Sequence, residues 1–447
     1  MPKARPTRSA AFLTGFATVG KLWRVKRTVI QRIALGVLAA AVLIGTGYSN
    51  YCRAAAGIGD FRALRQASEH ALQTSQLNDP CSLGYYPPSA RPILMPLAWL
   101  DLRPAAAVWW ALMVLLYGLC LYLLVSHVLP GSRDRLWIAG LSLVVALPWL
   151  IADLNVGNIS SLVLASVVAG YVLARKGRPV AAGFAVAAGV SLKLIPVFLI
   201  VFFVIKRRWK AAACSLVATA AVAAVPGVLI FGGKDFAGSW TTWRREAVHI
   251  RTPQYTILEA QRSTHMNQSW PNVLVRLLHG VDTGHSKHPF RVNVADLPRE
   301  RVLVLYYAFA ALSLGLWVFL IWPRRGDPPA VEALHFATVP LVMLWFSPHV
   351  MSYYLSIAMP AMAVFVWALV EKPAGLVGVR KWLIVLALVY WAGCASMASD
   401  YLRAIGSYQM VILVLAAATF VIAQRMRVAA GASDQPTDSM AGSAGGS

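Results

Sequence analysis

The chain is short of acids and of charge in general. Of its 447 residues, 18 are Asp or Glu against 41 Lys or Arg, and charged residues make up 13%, about half the share in an ordinary soluble domain. Cysteine is also sparse. Cys52, Cys81, Cys120, Cys214 and Cys394 form no CxxC pair and no Cys/His cluster, so the sequence suggests no zinc site. Cys52 and Cys81 fall in the same non-membrane loop, where a bridge and two free thiols are equally compatible with the sequence. No Walker loop, GxGxxG, HExxH or Asp-x-Asp pair occurs. The chain therefore shows neither a phosphate cradle for a nucleotide nor a metal pair for a nucleotide sugar.

What is present is apolar surface. Hydrophobic residues are 58% of the chain and the mean hydropathy is +0.61. A soluble fold of this length cannot hide so much, which points to an all-α polytopic membrane protein. The net charge of +23 does not make it a nucleic-acid binder, because the basic residues sit in short clusters between apolar runs rather than on one face. Spans are expected near 29–48, 104–126, 136–152, 159–174, 179–205, 211–231, 299–322, 334–347, 351–370, 381–398 and 406–424. With 179–205 read as a hairpin of two short pieces broken near Ser191–Pro196, that is roughly 11 or 12 crossings at about 20 residues each.

Lys and Arg orient the chain. An acid-free arm, residues 1–28, and the clusters at 133–135, 175–178, 206–210, 323–325, 371–381 and 424–427 all fall on one side, which is expected to be the cytoplasm. The basic arm and an apolar run of full span length favour a retained anchor over a cleaved signal. Residues 426–447 are expected to form a disordered cytoplasmic tail. The outer side then receives two long loops, 49–103 and 232–298. The polar interest of the chain gathers in these loops rather than in mid-span, so chemistry is expected at the outer membrane–water boundary.

Asp60 opens the first loop's amphipathic stretch, in which Phe61, Leu64, Ala67, Ala71 and Leu72 recur at helical spacing. That pattern predicts a helix along the membrane surface. Asp60 is locally as consistent with a helix cap as with a base. The turn "YYPP" follows, read first as a rigid turn docking into the bundle, with Tyr86 suited to a membrane interface and Arg91 a candidate to meet a phosphate. "DLNVGNIS" puts Asp153, Asn155 and Asn158 at an outer end, where turn chemistry accounts for them. In "SLKLIPVF", Lys193 lies inside an apolar stretch, a costly place for an ammonium and by default a functional one. The loop 240–270 mixes Trp, Tyr, Arg, His, Asn and Gln, including Arg262, Asn267 and Gln268, a composition suited to sugars and phosphate. His349 sits in the short outer turn "FSPHVMSYY".

Taken in order, an Asp soon after the first span, "YYPP", "VGNIS", "KLIP", "NQSWPNVLVRLL" and the "SP-H---YY" turn resemble glycosyltransferase family 87, formerly domain of unknown function 2029. The resemblance covers about residues 30–425 and is similar in kind to actinobacterial mannosyltransferases that elongate phosphatidylinositol mannosides. It implies a GT-C membrane transferase domain over 29–425, a polyprenyl-phosphate-mannose type donor, and a lipid-linked or cell-envelope glycan acceptor. It implies no cofactor and no metal, a place in the bacterial cell membrane with both termini cytoplasmic, and an extracytoplasmic active site. By resemblance, Asp60 is the catalytic base, His349 belongs to the active site, and Lys193 lies near the donor phosphate. Arg262 and Arg91 are expected as further phosphate cations, and Tyr86, Asn158, Asn267 and Gln268 as substrate-binding residues. The chain departs from the family at Asn158, where glutamine is usual, and at a tyrosine shifted within "YYPP". Transfer of another sugar, such as arabinose, and lipid-linked sugar transport are the alternatives. Transport predicts internal repeats, and none is visible.

Overall fold

The computed structural model describes residues 37, 40–53, 55, 56, 58–74, 86–131, 134–261, 263–284 and 290–433. Among these residues the ordered elements are helices. Seven helices are long and apolar enough to cross a membrane, and three apolar helices are shorter. The protein is an all-α polytopic membrane protein. The expected first span begins outside the described residues, and Cys81 of the possible cysteine pair lies outside them; of the expected tail 426–447, the residues to Ser433 continue the last helix and those beyond lie outside the described residues.

The amphipathic helix of the first loop is α1 (Asp60–Thr74). Its stripe of Phe61, Leu64, Ala67 and Ala71 is buried against the short helical turns Ala90–Leu94 and Met95–Trp99. Leu72, expected in the same stripe, is 39% exposed, because it lies one position off the docked face. Then come α2 (Leu102–Leu123), α3 (Arg135–Val156), α4 (Ser160–Arg175), α5 (Pro179–Leu192), α6 (Val197–Ile205) and α7 (Trp209–Phe231). The hairpin expected at 179–205 is the pair α5 and α6. The chain leaves helical geometry at Lys193, which is extended at φ −147° and ψ 140°, and restarts after Pro196. A proline at the start of a helix costs no hydrogen bond, whereas one inside it does.

Beyond α8 (Gly233–Trp243) and α9 (Trp270–Leu278), a long span α10 (Arg299–Ile321) leads to the short pair α11 (Pro329–Ala337) and α12 (Val339–Trp345). A tight helical stretch, Ser352–Ala358, feeds α13 (Met359–Glu371), and α14 (Arg380–Ala395) and α15 (Ser407–Ser433) complete the bundle. The span around α13 is the most enclosed, with 83% of its apolar window buried, whereas that of α10 is only 11% buried. Most of α10's surface therefore faces outward.

One end of the bundle collects the basic clusters. Arg208 pairs with Glu332 at 2.7 Å and Arg427 with Asp327 at 2.6 Å. Lys206 Nζ lies 2.8 Å from His335 Nδ1, and Arg175 donates to the His127 carbonyl at 2.9 Å. The turns between α3 and α4, between α5 and α6, and after α12 lie at the opposite ends of their helices.

Candidate functional site

Two glycines set the first residue of the site. Gly157 ends α3 in the left-handed region at φ +71°. A Cβ there would stand 2.7 Å from Phe61 Cβ, so only glycine lets α1 settle on this turn. Gly59, at φ +107°, approaches the Val156 carbonyl just as closely, its ideal Cβ falling 2.9 Å from that oxygen. Trp109 Nε1 donates to the Gly157 carbonyl at 2.9 Å and holds the turn from α2. The start of α1 is thereby brought to the start of α4.

Asp60 is the first helical residue of α1, and its carboxylate is engaged beyond its own helix. Its Oδ2 accepts a hydrogen bond from Asn158 Nδ2 at 2.6 Å, and Tyr353 interacts with the same carboxylate. Asn158 Nδ2 also reaches the Tyr86 hydroxyl at 3.1 Å, while Ser160 donates to Asn158 Oδ1 at 2.9 Å. The fully buried Asn158 amide thus has a fixed orientation. Tyr86 is buried, which pushes its hydroxyl well above the usual phenol range, with the field of Tyr354 and Asp60 adding to the shift.

A cavity of about 400 Å³ opens beside this cluster, lined by Tyr86, Lys193, Trp243, Arg251, His349 and Tyr354 among others. Ser89 donates to the Ser191 carbonyl at 3.0 Å and so pins the "YYPP" turn against the α5–α6 break. The break places Lys193 Nζ 3.4 Å from the centroid of the Tyr354 ring. The ammonium makes no hydrogen bond; its burial works first against the charge, as does Arg251, while the fields of Asp60 and Asp153 work for it. An aromatic face attracts a cation but satisfies none of its three donors.

His349 enters from the turn between α12 and Ser352. Asn267 Oδ1 accepts from Val350 N at 3.0 Å and from Ser269 N at 3.1 Å, and Gln268 N donates to the Val350 carbonyl at 2.7 Å. The "NQS" and "SPHV" segments are therefore stitched together, and Ser347 Oγ donates to the His349 carbonyl at 2.7 Å. Burial, then the cations Lys193 and Arg251, push the imidazole down to about 4. It is neutral at physiological pH.

Of the residues anticipated from sequence, the structure brings Asp60, Tyr86, Asn158, Lys193 and His349 together. Asn267 and Gln268 lie behind the cavity. The Gln268 amide donates to the His265 carbonyl at 2.7 Å and to the Arg403 carbonyl. Arg91 is buried under α1, donating to the Ala67 carbonyl at 3.3 Å. Arg262 lies outside the described residues.

Two further residues belong here. Arg251 lines the cavity, and its only sequence signal was membership of a polar, aromatic loop. Asp153 is 0% exposed. Its Oδ2 accepts from the Tyr117 hydroxyl at 2.5 Å, and its Oδ1 has no hydrogen-bond partner. The turn reading of Asp153 holds for its carbonyl, which accepts from Gly157 N at 2.8 Å, but not for its carboxylate. An acid in the last turn of an apolar span was the available signal. Among the described residues, no three His, Cys, Asp or Glu side chains converge as a metal site.

The arrangement offers a carboxylate able to accept a proton, and cations across a small cavity able to face an anion. The family model for glycosyltransferase family 87 matches residues 85–348. A similar protein is the polyprenol-phosphate-mannose-dependent alpha-(1-2)-phosphatidylinositol mannoside mannosyltransferase of Mycobacterium tuberculosis, 26% identical over 326 residues. That match covers 70% of this chain and 66% of the relative's length. No solved structure matches.

Proposed function

Because the chain belongs to glycosyltransferase family 87, we propose that it moves a hexose, mannose, from a polyprenyl-phosphate donor to a lipid-linked or cell-envelope glycan. The reading that carries this is a paired one: the Asp60 carboxylate is hydrogen-bonded to Asn158 at 2.6 Å, and the Lys193 ammonium lies buried without a hydrogen bond at the adjoining cavity. Glycosyl transfer from a phosphate needs a base for the acceptor hydroxyl and cations for the departing phosphate. Asp60 takes the proton, and Asn158 orients its carboxylate. Lys193, aided by Arg251, stabilises the phosphate as the glycosidic C–O bond breaks. Phosphate is already a good leaving group, so no general acid is required, which suits a His349 that is neutral at physiological pH and serves as a hydrogen-bonding group. A single in-line displacement of this kind inverts the anomeric carbon. The mannose donor is supported by the activity for which the mycobacterial relative is named.

The site is assigned to the extracytoplasmic face. The support is that the basic clusters lie at the opposite helix ends, as cytoplasmic ends do. Cysteine labelling at position 81 from outside intact cells tests that orientation.

The decisive assay incubates purified protein with polyprenyl-phosphate-mannose and membrane lipid extract and follows mannosylated product. Asp60→Asn keeps the shape and an oxygen for the Asn158 amide while removing the base. It should lower transfer by about 10²- to 10⁴-fold. A variant with full activity would sink the assignment of Asp60.

A further inference from the structure

Asp153 is a buried acid to which the transfer chemistry gives no task. It stands in the last turn of α3, fully enclosed, and it does not line the polar cavity. Anything it does for the reaction must pass through its neighbours. Two lines of contact leave its carboxylate. On one side Ser160 interacts with it and donates to Asn158 Oδ1 at 2.9 Å, and Asn158 Nδ2 donates to Asp60 Oδ2 at 2.6 Å. On the other side the Tyr117 hydroxyl of α2 donates to Asp153 Oδ2 at 2.5 Å and lies 2.8 Å from Ser356 Oγ. Ser356 Oγ donates to the Tyr353 carbonyl at 2.8 Å, and the Tyr353 side chain interacts with Asp60. Both arms start at one carboxylate and end on another. They close a ring through α1, α2, α3, α4 and the Ser352–Ala358 stretch. Tyr117, Asn158, Ser160 and Ser356 are all buried, so water does not compete for these bonds. The Asp153 carbonyl adds a further tie, accepting from Gly157 N at 2.8 Å and so fixing the turn that carries Asn158.

We infer that Asp153 is a positioning residue for the Asp60 base, holding its carboxylate from two sides through Ser160–Asn158 and through Tyr117–Ser356–Tyr353. The inference rests on the assignment of Asp60 as base and adds what aims it. A general base works only when its lone pair lies within hydrogen-bond reach of the proton it takes, and a displacement of about 1 Å costs about 100-fold. One contact would let the Asp60 carboxylate swing about that contact, whereas two from different helices stop it. The root of the ring suits an acid, because a carboxylate has two oxygens and several lone pairs and can serve Tyr117 and Ser160 together. That gives a reason for an acid to occupy the apolar end of a span, where it is costly.

The test measures kcat, donor KM and melting temperature on the full chain in lipid nanodiscs, with polyprenyl-phosphate-mannose and membrane lipid extract as substrates. Asp153→Leu keeps the bulk and removes both acceptor oxygens. Tyr117 can then donate to Ser356, and exchanging buried charge for an apolar side chain is often neutral or stabilising for the fold. Its kcat should fall by about 10- to 100-fold with donor KM within about twofold, and its melting temperature should hold or rise. Asp153→Asn, which keeps an oxygen for Tyr117, should recover most of that loss. Tyr117→Phe cuts one arm and should lower kcat by about 3- to 10-fold. In an Asp60→Asn background, Asp153→Leu and Tyr117→Phe should each cost less than about twofold, since no base is left to aim. Parental kcat in Asp153→Leu, losses that track melting temperature across the variants, or losses undiminished in the Asp60→Asn background would each overturn the inference and leave the base assignment standing. Full activity in Asp60→Asn alone would remove the base assignment and this inference with it.

Discussion

Replacing Lys193 with methionine should separate stability from activity. In the folded protein the ammonium is buried, makes no hydrogen bond, and rests 3.4 Å from the Tyr354 ring centroid. Burying an ion costs several kcal/mol. Against that stand a cation–π attraction of about 2 kcal/mol when desolvated and the fields of Asp60 and Asp153. Methionine fills nearly the same volume with an adaptable apolar chain and leaves no void. The two sides come close to cancelling, so the variant's unfolding free energy should stay within about 1 kcal/mol of the parent or rise. Transfer should behave differently. A hydrogen bond from a charged donor to the phosphate is worth about 1.5–3 kcal/mol, rising to about 4 kcal/mol where charge develops in the transition state. At 1.36 kcal/mol per decade, the rate from limiting donor should fall by about 10- to 1000-fold. Thermal unfolding in detergent and initial rates of mannose transfer measure the two quantities. Wild-type rates in Lys193→Met would refute the phosphate role. A parallel collapse of rate and melting temperature would show instead that Lys193 is needed for folding.

Other outcomes follow from the same geometry. Gly157→Ala must hold φ near +71° and fit a Cβ 2.7 Å from Phe61 Cβ. It should cost about 1–3 kcal/mol and lower transfer by displacing α1 and Asp60, read by thermal unfolding and rate together. Asn267→Ala removes the acceptor for Val350 N and Ser269 N, at about 1–3 kcal/mol for each amide left buried and unsatisfied. By loosening the His349 turn it should lower kcat more than it raises donor KM, and a pure KM effect would instead favour direct substrate contact. Because burial and nearby cations hold the His349 imidazole at about 4, it stays neutral above that pH. The pH profile should therefore show no histidine step near about 6.5, and His349→Gln should change the level of the profile rather than its shape.

How much of this was written in the sequence differs from element to element. The α5–α6 hairpin was legible because a proline and a lysine interrupt an apolar stretch, and both effects are local. Asp60, Lys193 and His349 stand out in the sequence because each polar group is set against apolar surroundings and because the motifs occur in a recognisable order. Asn267 was seen, but its geometry was not. Its acceptor oxygen serves Val350, a partner far along the chain. A local reading assigns Asp153 to turn chemistry because it sees the backbone and not where the carboxylate goes. Arg251 was lost among several arginines of similar loop context.

By itself the sequence determined the solvent this protein lives in, that the chain is helical and polytopic, and which residue types are exceptional, since hydropathy and charge act position by position along a chain. Only the tertiary structure decided which of those exceptional residues meet. Asp60 reaches Asn158 because two glycines let separate helices approach, and Lys193 loses its hydrogen bonds because Tyr354 covers it. Both facts arise from packing between segments distant in sequence, and no local pattern encodes them.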